Sequence, residues 1–143
     1  MGRSRPERAS GPEIELRQLS AERNRRKDSW RIGWRLKNHG PRPLRIQAVR
    51  LPHGQFKSEE ISFEPAIDLS PDEETEFQTL VRCAESPGNV TENAFVILYV
   101  IWLSEPWRVF ARLRVVVSFD GKPQATTESI TTQRIGFSQK DLA

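Results

Sequence analysis

Apolar and polar residues alternate along most of this sequence, and that alternation constrains the fold more than any other feature. The clearest case is residues 30–37 (WRIGWRLK), in which tryptophan, isoleucine or leucine occupies every second position. A period of two sends successive side chains to opposite faces of a β-strand, so one face is expected in the core and the other in water. The spacing typical of an amphipathic helix is absent, and the chain is therefore predicted to be all-β.

Turn residues divide the chain into eight or nine short strands. Segments such as 38–43 (NHGPRP) combine glycine, which tolerates positive φ, with prolines that remove backbone donors. The charged segment 21–28 is expected to be a loop, and the polar segment 124–134 suits a solvated sheet edge. The predicted strands are residues 13–19, 30–37, 44–51, 57–63, 66–69, 75–83, 94–103, 107–119 and 124–134. Many short strands favour an antiparallel β-sandwich of about eight strands over an α/β enzyme fold.

The length and composition of the chain predict one domain, flanked by less ordered segments. Its 143 residues are 36% hydrophobic and 29% charged, as in a soluble globular domain. We expect a disordered basic arm at 1–12, the β-sandwich domain at 13–135 and a loose tail at 136–143. Cys83 is the single cysteine, which excludes an internal disulfide and fits a reducing, cytoplasmic location. The longest apolar run, 94–103, is shorter than the roughly 20 residues of a membrane helix, so no membrane partner is expected.

Three short motifs resemble a known family. Asn38–Ile46 (NHGPRPLRI), Gly54–Phe56 (GQF) and Leu69–Pro71 (LSP) are similar to the strand-turn-strand pattern of bacterial immunoglobulin-like domains of the adhesion-module and spindle-protein/hydin type. The similarity covers about residues 30 to 100. Asp72 departs from it, standing where the family usually has glycine, and the segment 94–119 is longer and more apolar. The resemblance implies an immunoglobulin-like sandwich with a scaffold role and no catalytic residues to carry over.

Charge is distributed unevenly along the chain. Residues 1–50 carry 14 Lys and Arg against 5 Asp and Glu, whereas 51–105 carry 2 against 11. A cluster of arginines can neutralise phosphates, so nucleic-acid or polyanion binding is one alternative function. The residues that would carry it are Arg23, Arg25, Arg26, Lys27, Arg31 and Arg35. Solubility of an exposed strand face explains the same arginines.

The residues that usually carry catalysis or hold metals form no convincing set. His39 and His53 lie in predicted turns and lack the ligand spacing of a zinc site. Cys83 ends an apolar strand, which favours an inert buried thiol over a nucleophile. No pair of carboxylates is selected by spacing, and phosphate-binding glycine loops are absent. We therefore predict a protein without enzymatic activity, metal or cofactor.

Carbohydrate binding is a lesser alternative. It needs a planar aromatic platform, for which Trp102, Trp107 and Phe110 are the clustered candidates.

A hairpin of residues 94–103 and 107–119, joined by Ser104–Pro106, carries the leading functional hypothesis. In its second strand the alternate positions from Trp107 to Phe119 form an apolar face, expected in the core. In the first strand both faces are apolar, so a surface beyond the core must be covered by another loop or another protein. The predicted contact surface has Val96, Leu98, Val100, Phe110 and Val116 at its centre and Arg112 and Arg114 at its rim. The chain is thus expected to be a non-catalytic interaction module that binds a protein partner or a second copy.

Overall fold

The computed structural model describes residues 11–135, which form eight antiparallel strands and no helix. Within that range no helix has the length and apolar character needed to cross a membrane. The all-β prediction is therefore confirmed. The strands are β1 (Ile14–Arg23), β2 (Ser29–Asn38), β3 (Leu44–His53), β4 (Phe56–Leu69), β5 (Glu74–Arg82), β6 (Val90–Trp102), β7 (Glu105–Val117) and β8 (Pro123–Arg134).

All eight strands belong to one sheet, in the order β1-β2-β5-β4-β3-β6-β7-β8. The ladder is long between most neighbours, but β4 and β5 share only the residue pair Lys57 and Arg82. β4 instead pairs with β3 at both of its ends, with two register shifts and no partners for residues 63–66. The sheet is therefore nearly interrupted between β4 and β5, and it curls so that its two end strands approach each other.

The side chain of Gln18 joins the two end strands. Its Nε2 donates to the carbonyl of Pro123 (3.1 Å), and its Oε1 accepts from the backbone N–H of Ala125 (2.7 Å). Beside it, Thr127 Oγ1 donates to the carbonyl of Leu16 (2.8 Å). Because the amide of Gln18 has both donor and acceptor groups, these two bonds replace a pair of ladder hydrogen bonds. The sheet is nearly closed as a barrel by this contact.

The core fills the inside of the curled sheet. The alternation predicted for 30–37 places Trp30, Ile32, Trp34 and Leu36 there, each 0 to 3% exposed. Trp34 meets Phe56 edge to face, with ring centroids 6.3 Å apart, and its Nε1 donates to Thr79 Oγ1 at 3.0 Å. The one polar atom of this buried ring system is thus satisfied, as a packed interior requires.

The turn motif 38–43 connects β2 to β3 and is stabilised by hydrogen bonds of the Asn38 side chain. The buried Asn38 donates through Nδ2 to the carbonyls of Arg42 (2.8 Å) and Leu69 (3.0 Å), and its Oδ1 accepts from Gly40 N–H (3.0 Å). These bonds tie the β2–β3 turn to the end of β4. The motif that carries the family resemblance therefore stabilises a turn here.

Several predicted boundaries differ from the structure. β1 continues through 20–23, part of which was expected to be a loop, because a bulge after Gln18 keeps it paired with β2. Residues 56–69 form one strand instead of the two predicted, although residues 63–66, around Pro65, have no partner in the ladder with β3. Phe119 is 92% exposed because β7 ends at Val117, two residues before it.

The predicted terminal segments fall mostly outside the described residues. Gly11 and Pro12, which were assigned to the basic arm, are buried. A Cβ at Gly11 would lie 2.8 Å from Trp107 Cζ3, so this part of the chain packs against β7. The rest of the arm, 1–10, and the tail, 136–143, lie outside the described residues.

We expect Gln18→Ala to lower the free energy of unfolding by about 1–3 kcal/mol, because it leaves the partly buried Pro123 carbonyl and Ala125 N–H without partners. Urea denaturation measures the change. Gln133→Ala, at an exposed glutamine of β8, is the matched control and should cost less than about 0.5 kcal/mol. Equal midpoints for the two variants would show that the Gln18 bridge does not close the sheet.

Candidate interaction surfaces

The register of the β6–β7 hairpin decides which face of it is exposed. Leu103 and Ser104 connect the strands with φ angles of 51° and 63°. Two successive positive φ angles are those of a type I′ turn, the common two-residue hairpin connection. Trp102 therefore lies opposite Glu105, and Ile97 lies opposite Phe110. The connection is earlier in the chain than the predicted 104–106.

This register corrects the predicted contact surface. Three of its central residues are in the core at 0 to 1% exposure: Val96, Leu98 and Val100. Opposite residues of an antiparallel ladder share a face, and the partners of these three are the buried Ala111, Val109 and Trp107. They cannot contact another protein in the folded chain. Sequence alternation identified two apolar faces on β6 but not which one faced inward.

The outward face of the hairpin carries a different set of apolar side chains. Ile97 is 7% exposed and the others are half-buried, and Phe95 meets Phe110 edge to face with ring centroids 6.4 Å apart. Phe110 and Val116 thus keep the outward position that was predicted for them. We call this set the outer apolar face: Phe95, Ile97, Tyr99, Ile101, Phe110 and Val116.

Arginines of β3 and β7 surround the outer apolar face. Four of these arginines lie opposite a residue of the outer apolar face in a strand ladder, and the fifth, Arg114, lies on the same side of β7 between Phe110 and Val116. The five arginines are Arg45, Arg50, Arg108, Arg112 and Arg114. Two of the five have carboxylate partners, since Arg45 binds Asp68 at 2.8 Å and Arg114 binds Glu92 at 3.1 Å. The Arg45 guanidinium hydrogen-bonds Asp68 and holds the pKa of that carboxyl below its usual range.

The other three arginines of the rim have no carboxylate within ion-pair distance among residues 11–135. Arg112 instead donates to Ser129 Oγ (3.2 Å) and Asn93 Oδ1 (3.3 Å). Arg108 Nε is buried and has no hydrogen-bond partner in the described part of the chain. The rim of the outer apolar face therefore has a net positive charge.

The six residues predicted to bind a polyanion are separated by the structure. Arg23 lies over the Trp30 ring at 4.7 Å and donates to the Asp120 carbonyl. Arg31 and Arg35 lie on the outside of β2 and form ion pairs with glutamates. Arg23, Arg31 and Arg35 therefore already contact other groups of the protein. The other three predicted residues lie in the β1–β2 turn and are exposed: Arg25, Arg26 and Lys27.

Two further cations join that turn. Arg82 ends β5 opposite Ser29, and Lys57 of β4 lies opposite Arg82. We call the five residues the basic corner: Arg25, Arg26, Lys27, Lys57 and Arg82. Sequence reasoning missed the last two because they stand alone in the acidic stretch 51–105, and only pairing between distant strands brings them to the turn.

The candidates for metal and sugar binding are not assembled into sites. No group of three or more His, Cys, Asp or Glu able to hold a metal ion occurs within 11–135. His53 Nδ1 accepts a hydrogen bond from Gln55 N–H at 3.1 Å. Trp102 and Trp107 are buried and meet edge to face, while Phe110 points to the opposite side of the sheet. The three aromatic residues therefore form no common platform.

Cys83 is buried just beyond β5, and its backbone N–H donates to the Asp28 carbonyl. Burial raises the pKa of its thiol, and this effect outweighs a backbone hydrogen bond from Glu85 that lowers the pKa. Since the thiolate is the reactive form, the structure favours an inert thiol at this position.

We expect iodoacetamide to alkylate Cys83 at least about tenfold more slowly in the native protein than in urea, because burial disfavours the thiolate and restricts access. The native rate should rise with pH through a midpoint above the ~8.5 of a free thiol. Mass spectrometry of quenched samples measures both rates, with Cys83→Ser as the unlabelled control. Native alkylation as fast as in urea would indicate an activated, accessible thiol.

Comparison with known proteins assigns no family to the chain. No protein-family model matches the sequence, and no curated protein matches it. The function is therefore inferred from the chemistry of the outer apolar face and the basic corner.

Proposed function

We propose that the protein is a non-catalytic interaction module, built on an immunoglobulin-like β-sandwich, whose outer apolar face binds an acidic and apolar segment of a partner protein. The observation that carries the proposal is the outward cluster of six apolar side chains on β6 and β7, bordered by five arginines. Large apolar groups gathered on one outward sheet face, rather than scattered, are typical of interaction sites.

The strand order supports the immunoglobulin-like part of the proposal. Strands β1-β2-β5 follow the A-B-E order of one immunoglobulin sheet, and β3-β6-β7 follow the C-F-G order of the other, with β4 paired to β3 at the outer side of C. The near-interruption between β4 and β5 gives one place where two packed sheets separate, and the side-chain bridge between β1 and β8 gives the other. β8 is then an additional strand beside G. The resemblance of the turn motifs to bacterial immunoglobulin-like scaffolds points the same way.

The energetics of the outer apolar face suit a protein partner. Covering a few hundred Å2 of it contributes several kcal/mol at about 25 cal/mol per Å2, before the entropy of association is subtracted. A concavity of about 500 Å3 at one end, with Arg45, Ile101 and Leu103 among its walls, can receive one side chain of the partner. Aromatic and arginine side chains are also those enriched at the centres of protein interfaces.

The charge of the rim favours an acidic partner over a second copy of the chain. A two-fold dimer through the outer apolar face would bring the positively charged rim against itself. Like charges facing each other oppose association, whereas carboxylates of a partner would pair with Arg50, Arg108 and Arg112. A different protein, with acidic residues flanking apolar ones, therefore fits this face better.

Photo-crosslinking tests the proposal. A p-benzoylphenylalanine in place of Phe110 should give discrete protein adducts in nuclease-treated lysate, and Phe110→Tyr should compete for them. The same photoreactive residue in place of Leu80 is the matched control, since Leu80 is 53% exposed on the opposite side of the molecule. Adducts identified by mass spectrometry should contain peptides rich in Asp or Glu and apolar residues.

We expect Ile101→Glu and Arg112→Glu each to weaken binding of the captured partner by at least about tenfold, as at an interface hot spot, with Leu80→Glu unchanged. Circular dichroism and urea denaturation establish that each variant is folded. Identical adducts from positions 110 and 80, or full binding by the folded Ile101→Glu and Arg112→Glu proteins, would contradict the proposal. Light scattering that shows a dimer dissociated by Ile101→Glu would assign the face to self-association instead.

A further inference from the structure

The basic corner lies apart from the outer apolar face, at the end of the sheet where β1 turns into β2. It borders a concavity of about 550 Å3, a volume within the range of small-molecule sites. The walls are Asn24, Arg26, Lys27, Ser29, Leu80 and Arg82. Lys57, the ladder partner of Arg82, adds a further cation on the same face.

The cations of this corner are not neutralised by the described part of the chain. None of the five has a carboxylate within ion-pair distance in residues 11–135, although ion pairs occur at five arginines elsewhere: Arg31, Arg35, Arg45, Arg114 and Arg134. Asp28 is the carboxylate nearest in sequence, at the end of the same turn. Glu59 lines the neighbouring concavity that shares the Leu80 wall, and Glu85 lies near Cys83 just beyond Arg82. The five cations outnumber these three acids and leave a positive potential over the concavity.

Three hydrogen bonds stabilise the turn that carries three of the cations. Asn24 N–H donates to the Ser29 carbonyl at 2.8 Å, and Asn24 Nδ2 donates to Ser29 Oγ at 3.3 Å. Within that loop Ser29 N–H donates to the Arg26 carbonyl at 3.2 Å. A turn ordered before binding loses less entropy when a ligand arrives, which favours affinity.

The surroundings indicate a compact anion rather than an extended one. A nucleic-acid strand needs a track of free cations along its backbone. Beyond the corner the arginines of β2 are already paired, Arg31 with Glu22 and Arg35 with Glu74 and Glu76. These arginines therefore do not extend the free positive charge of the corner along β2.

We propose that the basic corner binds a compact anion carrying two or more phosphate groups, with Arg26, Lys27 and Arg82 contacting the phosphates. Guanidinium groups pair with phosphate oxygens through two parallel hydrogen bonds, and the lysine supplies a point charge. Such a group comes from a free polyphosphate or from the triphosphate of a nucleotide. This proposal does not depend on the function assigned to the outer apolar face.

Isothermal titration of the whole chain with sodium tripolyphosphate tests it. Lys27→Glu and Arg82→Glu should each weaken binding by at least about tenfold, because charge reversal replaces attraction by repulsion at contact distance. The matched control is Arg42→Glu, an identical change of net charge at the exposed β2–β3 turn on the opposite end of the sheet, and it should change the affinity less than about twofold. Affinity should also fall as salt is raised, since these groups are exposed.

Adenosine triphosphate in a parallel titration distinguishes the two sources. Equal affinity assigns the site to the phosphates alone, and tighter binding of the nucleotide shows that its organic part also contacts the protein. Three results would overturn the proposal. The first is that tripolyphosphate does not bind. The second is tripolyphosphate binding that Arg42→Glu weakens as much as Arg82→Glu. The third is an oligothymidylate that binds more tightly than tripolyphosphate, with affinity that rises with length from 5 to 20 nucleotides.

Discussion

The two-residue turn at Leu103 and Ser104 is the constraint on which the described surfaces depend. By setting the register of the longest hairpin, it directs Val96, Leu98 and Val100 inward together with the apolar face of β7. A shift of one residue would exchange the two faces of β6 relative to β7, because side chains alternate with a period of two. The geometry of this one turn therefore decides which side chains of β6 enter the core and which form the outer apolar face.

Closure of the sheet is the second requirement. A sheet with open ends exposes unpaired backbone groups that can pair with another chain. Here the end strands meet through the Gln18 amide and the Thr127 hydroxyl rather than through a continuous ladder. These few side-chain hydrogen bonds protect both end strands from pairing with another chain. They leave the outer faces of the strands available for recognition.

The outer apolar face and the basic corner differ in how far their cations are paired with other groups of the protein. Around the outer apolar face, some are paired and some only hydrogen-bonded, so that charge borders a largely apolar area. In the basic corner none of the cations is paired within residues 11–135, and Leu80 is the one apolar residue among the described walls of the concavity. The first composition suits a protein partner with apolar and acidic residues. The second suits a small, highly charged ligand.

The sequence by itself determined the all-β class, the strand of 30–37 with its buried tryptophans, and the apolar character of both faces of β6, because alternation and turn residues are local signals. Which face of β6 points inward depended on the register of the hairpin. A two-residue connection at 103 and 104 sets the observed register. The connection predicted at 104–106 sets a different register and therefore the wrong inward face. Lys57 and Arg82 reach the basic corner only through pairing between strands far apart in the chain. Neutralisation of Arg35 by Glu74 and Glu76 likewise required the β2–β5 ladder. Which charges remain free is therefore decided by tertiary structure, since opposite charges cancel according to their distance in space and not in sequence.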